Sequence, residues 1–124
     1  MLFSSDRQFR LWDYNISHRQ LLLRSTKSES HVDNIDIVFW SVAWISLPTS
    51  VEGIEIHVSK DPVLSMPHNA EGVLYRFVSG ANVHHILAHG CRVMSNILDS
   101  FDSSLVYAHI DRPDSEYGVI LAKG

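Results

Sequence analysis

The sequence predicts a mainly β fold, an antiparallel barrel or sandwich of seven to eight strands with at most one or two short helices. Two features of the 124 residues favour this class. Turn-like clusters recur about every ten residues, and the segments between them are rich in β-branched and aromatic side chains. Because a chain of this length suits one core, we expect residues 1–124 to form a single β-rich domain.

The N-terminal third predicts a β-hairpin. Residues 9–16 alternate weakly between apolar and polar side chains, and Leu21, Leu22 and Leu23 start a second strand after the polar residues 17–20. The polar residues 25–33 then predict a loop.

The segment 34–47 predicts a strand that is apolar on both faces. Alternation places the following residues on one face: Ile35, Ile37, Phe39, Ala43, Ile45 and Leu47. It places the following on the other face: Val38, Trp40, Val42 and Trp44. Such a strand should be central in a sheet or covered on both sides, and Pro48 ends it.

Shorter strands are expected after Gly53. Their alternating or β-branched segments are residues 54–58, 73–78, 105–110 and 117–122. Residues 62–66 allow a short helical turn, but the flanking prolines exclude a long helix.

The histidine-rich segment VHHILAHGCRVM, residues 83–94, admits two interpretations. The favoured one is a strand to about residue 94, in which Gly90 marks a bulge or a close backbone approach. The alternative is an α+β fold with a helix at 83–101, because apolar residues there also follow a helical spacing. Poor helix formers and the central Gly90 disfavour this helix.

The choice between strand and helix decides what the histidines can do. On a helix, His85 and His89 are neighbours that suit a shared metal ion, whereas on a strand they lie about 13 Å apart. Neither arrangement pairs Cys91 with His89 for nucleophilic catalysis. We therefore predict no catalytic residue, no metal and no cofactor. The alternative, a metal-dependent enzyme, would have these candidate ligands: His84, His85, His89 and His109.

Composition excludes several classes of partner. The formal net charge is −4 and the basic residues are dispersed, so we expect no nucleic-acid partner. No apolar run is long enough for a transmembrane helix, and the N-terminus does not resemble a signal peptide. A lone cysteine, Cys91, suits a reducing cytoplasmic setting.

Four aromatic residues are the candidates for a ligand site or an interface. Trp12, Tyr14, Trp40 and Trp44 are predicted on the face opposite Leu11, Ile37 and Phe39. They form either a second layer of core or an exposed patch that binds a partner, a second subunit or a ligand.

The run from Phe9 to Leu47 reads FRLWDYNISHRQLLLRS … NIDIVFWSVAWISL and is followed by Pro48. This run resembles small uncharacterised bacterial proteins with a W-x-Y-x-x-S-H…LLLRS…N-I-D-I pattern. It is also similar to β-rich bacterial immunity proteins, which neutralise a toxin by binding it. The resemblance covers about a third of the chain and implies no catalytic residues.

These observations favour a non-enzymatic binding or assembly protein, a homodimer formed through a sheet face or edge or a complex with a protein partner. One alternative is a small metal-dependent β-barrel enzyme that uses His84, His85, His89 and His109. Another is a barrel that encloses an apolar ligand among Trp12, Trp40 and Trp44.

Overall fold

The computed structural model describes residues 1–59, 72–99, 105 and 119–124, and these residues form one antiparallel sheet of nine strands. The strands are β1 (Phe3–Asn15), β2 (Gln20–Ser25), β3 (Asn34–Trp40), β4 (Trp44–Ser46), β5 (Ser50–Ser59), β6 (Val73–Ser79), β7 (Asn82–Ala88), β8 (Gly90–Asn96) and β9 (Val119–Lys123). The hydrogen-bonded order is β4-β7-β6-β5-β1-β2-β3-β8-β9.

The mainly β class is confirmed, and two details differ from the prediction. The sheet has nine strands instead of seven or eight, and its order ends at β4 and β9, so it is not closed into a barrel. The described residues include no α-helix, and the alternative helix at 83–101 is wrong over 83–99, where the chain forms β7 and β8. The predicted helical turn at 62–66 and most of the predicted strand at 105–110 lie outside the described residues.

No helix in the part of the chain that the structure describes is long and apolar enough to cross a membrane.

The predicted strand over 34–47 is interrupted at residues 41–43. Ser41 adopts a left-handed conformation with φ of 51°, and β4 begins only at Trp44. The backbone N–H of Val42 donates to the carbonyl of Arg19, and Val42 packs in the main core. The expectation that Val42 shares a face with Val38 and Trp40 is therefore wrong, because the left-handed residue changes the phase of the alternation.

The segment that pairs with β3 and β4 is interrupted at His89, beside the interruption at residues 41–43. β7 ends at Ala88, β8 begins at Gly90, and the N–H of His89 donates to the carbonyl of Trp40 at 3.1 Å. β3 pairs with β8, whereas β4 pairs with β7. Both segments therefore bend together, and we call residues 40–44 and 88–90 the bend.

The sheet is folded on itself, so that its inner face packs against itself. The rings of Phe39 in β3 and Tyr75 in β6 are 5.2 Å apart, although β2, β1 and β5 separate these strands in the sheet. Fifteen buried residues form this main core: Phe9, Leu21, Leu23, Ile37, Phe39, Val42, Val51, Ile54, Ile56, Tyr75, Phe77, Ile86, Ala88, Cys91 and Val93. Burial of each large apolar side chain contributes about 1.5–3 kcal/mol.

Gly124 is hydrogen-bonded to two residues of the main core. Gly124 exchanges two backbone hydrogen bonds with Cys91, and the Tyr75 hydroxyl donates to the Gly124 carbonyl at 2.9 Å. Burial raises the pKa of Tyr75 to about 12. The phenol therefore stays protonated, as its donor role requires.

A polar cluster joins β1, β2 and β8 to the loop before β3. Arg7 is buried and donates from Nε to Ser25 Oγ at 2.9 Å and from Nη1 to Asp33 Oδ1 at 3.1 Å. Ser95 Oγ donates to Asp33 Oδ2. The hydrogen bond from Ser95 and the charge of Arg7 together lower the pKa of Asp33.

We expect Gly90→Ala to lower the free energy of unfolding by about 1–3 kcal/mol, because the added Cβ would lie 2.0 Å from Trp40 Cζ2. Urea denaturation measures the change. In a Trp40→Ala background the same substitution should cost much less, since the ring that it strikes is gone. Equal costs in both backgrounds would contradict the steric explanation.

We expect Ser95→Ala to lower stability at pH 7 by about 1 kcal/mol. The ordinary pKa of Asp33 is 3.8 and its folded-state pKa is lower, so the stabilisation is present above the ordinary value and is lost as pH falls through the folded-state pKa. The difference between wild type and variant should therefore shrink below about pH 4. Ser79→Ala, which removes a hydroxyl that donates to the Glu52 carbonyl, is the control and should show no such pH dependence.

Candidate functional site

The outer face of β2, β3 and β8 carries a buried ion pair. Arg24 Nε and Nη2 donate to the two oxygens of Asp36 at 2.6 and 2.9 Å, and both side chains are 0% exposed. Asn96 donates to Asp36 at 2.7 Å, and Asn34 donates to Asn96 at 3.0 Å. This network gives each buried charge a partner of opposite charge or a hydrogen bond. Without these partners the two buried charges would lower the stability of the fold.

A second, smaller core surrounds the buried ion pair. Leu22, Val38, Met94 and Leu105 are its buried members, and Trp12 and Ile120 pack against them. The sheet is thus covered on both faces around β2, β3 and β8, as the apolar pattern of 34–47 predicts for a strand inside a sheet.

Trp12 lies on the outer face by alternation with Leu11, and β1 contains an irregularity at this residue. The pairing with β2 shifts between Leu11 and Asp13, which leaves Trp12 without a paired residue. Its ring lies under Arg24, with 5.7 Å between the guanidinium carbon and the ring centroid. This is a cation–π distance, and it adds an aromatic contact to the Arg24–Asp36 pair.

Trp40 forms a second arginine–tryptophan pair on the same face. The guanidinium carbon of Arg92 is 5.9 Å from the Trp40 ring centroid, and the ring lies directly against the backbone of Gly90. Arg92 Nε is buried and has no hydrogen-bond partner. Val38, Trp40, Arg92 and Met94 line a crevice with no room for a water molecule.

Tyr14 and Trp44 lie away from these two pairs. Tyr14 pairs with Leu21, an inner-face residue, and Trp44 pairs with Leu87 in the edge strand β4; both rings are 40% exposed. The prediction that Tyr14 shares a face with Trp12 is wrong, because the shift at Trp12 reverses the alternation. Trp12, Trp40 and Trp44 remain opposite the main core, but Trp44 lies beyond the bend.

The structure separates the histidines that the sequence offers as metal ligands. His84 pairs with Phe77 of the main core, whereas His85 pairs with Arg76, so adjacent His84 and His85 point to opposite faces. His89 is exposed within the bend, and His109 lies outside the described residues. Among the described residues no group of three or more His, Cys, Asp and Glu could hold a metal ion.

Cys91 is a core residue. Its side chain is fully buried among apolar neighbours, and this burial strongly raises the pKa of the thiol. A thiol that stays protonated is a poor nucleophile and a poor metal ligand.

A shallow pocket of about 490 Å³ opens where β1, β5 and β6 meet. Its lining residues are Ser4, Ser5, Glu52, Gly53, Ile54, Glu55, Val78 and Gly80. None of the three tryptophans contributes to it, so it differs from the enclosed apolar site expected among Trp12, Trp40 and Trp44.

The buried network of Arg24 and Asp36 was not predicted. A signal for it exists, because one charged residue stands in each of the apolar segments LLLRS and NIDIVFW. These segments flank the loop at 26–33, and antiparallel pairing of β2 with β3 sets Arg24 directly opposite Asp36.

No protein-family model matches this chain, and no curated protein or solved structure matches it.

We expect Asp36→Asn to lower the free energy of unfolding by about 3–5 kcal/mol, because it removes one member of a fully buried ion pair. Chemical denaturation followed by circular dichroism measures the change. Glu55→Gln, which disrupts the exposed His57–Glu55 contact at 3.2 Å, should cost less than about 1 kcal/mol. Similar costs for the two variants would contradict a structural role of the buried pair.

Proposed function

We propose that this protein is a non-enzymatic binding protein that forms a homodimer through the outer edge of β4, which pairs with no other described strand. The observation that carries the proposal is the exposure of Trp44 and Ile45, at 40% and 37%, on a strand that ends the sheet order. Tryptophan is among the residues most enriched in the energetically dominant positions of protein interfaces.

The absence of charge along this edge supports association with a second copy. No charged residue occurs from residue 37 to residue 51, a range that contains all of β4. Soluble proteins commonly protect exposed sheet edges with charged side chains, lysine above all. An edge that combines no charge with an exposed tryptophan suits pairing with another strand.

A two-fold arrangement of two β4 strands is self-complementary. In antiparallel pairing centred on Ile45, this residue faces its own copy, and Trp44 faces Ser46 of the second copy. No like charges meet, and apolar side chains lie at the centre, as isologous interfaces require. Pro48 limits the pairing to a short segment, because proline cannot donate a ladder hydrogen bond.

The two other candidate functions have less support. His84 and His85 point to opposite faces of the sheet, which does not favour a shared metal site, and none of the three tryptophans lines the pocket where β1, β5 and β6 meet. The resemblance of residues 9–47 to bacterial immunity proteins favours a role in protein binding. The folded-over sheet would serve as a sandwich-like scaffold, and the free, buried Cys91 suits the cytoplasm.

We expect wild-type protein to show a monomer–dimer equilibrium in sedimentation experiments over a range of concentrations. Ile45→Lys should raise the dimer dissociation constant at least about tenfold, because two lysines would face each other. Trp44→Ala should have an effect of similar size.

The matched control is Ile16→Lys, which introduces the same charge at a residue that is 82% exposed in the β1–β2 turn. It should leave the equilibrium unchanged, and circular dichroism confirms that each variant folds. A wild-type protein that stays monomeric, or a dimer that tolerates Ile45→Lys, would overturn the proposal.

A further inference from the structure

The two arginine–tryptophan pairs on the outer face differ in one respect. Arg24 lies over Trp12 and also binds the carboxylate of Asp36, its cross-strand neighbour. Arg92 lies over Trp40 in the same manner, but its cross-strand neighbour in β3 is Val38. The second pair thus has the aromatic support of the first and lacks its carboxylate.

Arg92 also carries unused hydrogen-bonding capacity. Its Nε is buried without a hydrogen-bond partner, and no salt bridge within the described ranges includes it. The crevice beside this Nε has no room for a water molecule, so a ligand would reach the guanidinium from its Nη side, through the part of the half-buried side chain that is accessible.

A second positive charge lies beside Arg92. Lys123 in β9 is its cross-strand partner, so the two side chains share a face with Cβ atoms about 5 Å apart. Like charges at this spacing repel one another unless an anion lies between them. Arg92 is half-buried and Lys123 is exposed, so a ligand can reach both groups.

We propose that Arg92, Lys123 and Trp40 form a carboxylate-binding site for an aspartate or glutamate side chain of a protein partner. The guanidinium supplies parallel N–H donors that match a carboxylate, and Lys123 supplies a further charge. Trp40 holds the guanidinium plane in place, and its own position depends on Gly90. The site is separate from the edge of β4 and does not depend on the proposed dimer.

The test is an NMR titration that observes the arginine Nε–Hε and tryptophan indole signals of the intact protein. The probe is N-acetyl-glutamate, added at a constant ionic strength of about 0.15 M. Inorganic phosphate and sodium chloride are titrated in parallel. We expect a saturable shift of the Arg92 Nε–Hε and Trp40 signals with N-acetyl-glutamate, and a much smaller one with chloride. The Arg24 signal serves as an internal control and should not move, because Asp36 already occupies that guanidinium.

Variants separate a specific site from general attraction of anions. Arg92→Gln and, independently, Lys123→Gln should weaken the response of the Trp40 signal at least about threefold. Arg76→Gln, at an exposed arginine of β6, should leave it unchanged. No saturable shift, an equal response to chloride, a response to phosphate alone, or equal effects of all three variants would each overturn the proposal.

Discussion

The packing of the Trp40 indole against the backbone of Gly90 is the constraint on which the architecture depends. The contact occurs at the bend, where β3 passes into β4 and β7 passes into β8. Gly90 is not in a left-handed conformation, so glycine is required there for space and not for backbone freedom. Because both paired segments bend at this point, rings of β3 and β6 meet inside the fold.

The same contact links the inner core to the outer face. With its ring against Gly90, Trp40 supports Arg92 on the side of the sheet away from Phe39 and Tyr75. The neighbouring Arg24–Asp36 pair favours one pairing register of β2 and β3. A shift of one residue between these strands would move one of the two charges to the opposite face. Steric fit therefore determines the bend, and charge pairing favours a single register beside it.

Sequence patterns predict a large part of this fold and less of the site. Alternation identifies β6, and the unfavourable helix composition around Gly90 identifies β7 and β8 as strands. The interruption of the strand at residues 41–43 could not be predicted, because residues 34–47 are apolar on both faces. A residue that moves from one face to the other therefore does not change the apolar pattern. The early start of β1 at Phe3 could not be predicted either, since residues 4–8 are polar and become a strand by pairing with distant β5. The Arg92–Trp40 pair depends on such cross-strand contacts, which a linear pattern does not contain.

We propose that this bent sheet is a scaffold that recognises a partner by its surface and carries no catalytic site. Native mass spectrometry of the untagged protein, compared with its denatured mass, tests this claim most directly. We predict a dimer that increases with concentration and carries no mass beyond two 14.1 kDa chains. A monomer at every concentration would contradict the assembly, and one additional metal ion per chain would contradict the non-enzymatic assignment. An excess of a few hundred daltons would instead identify an enclosed ligand and would contradict recognition by the surface alone.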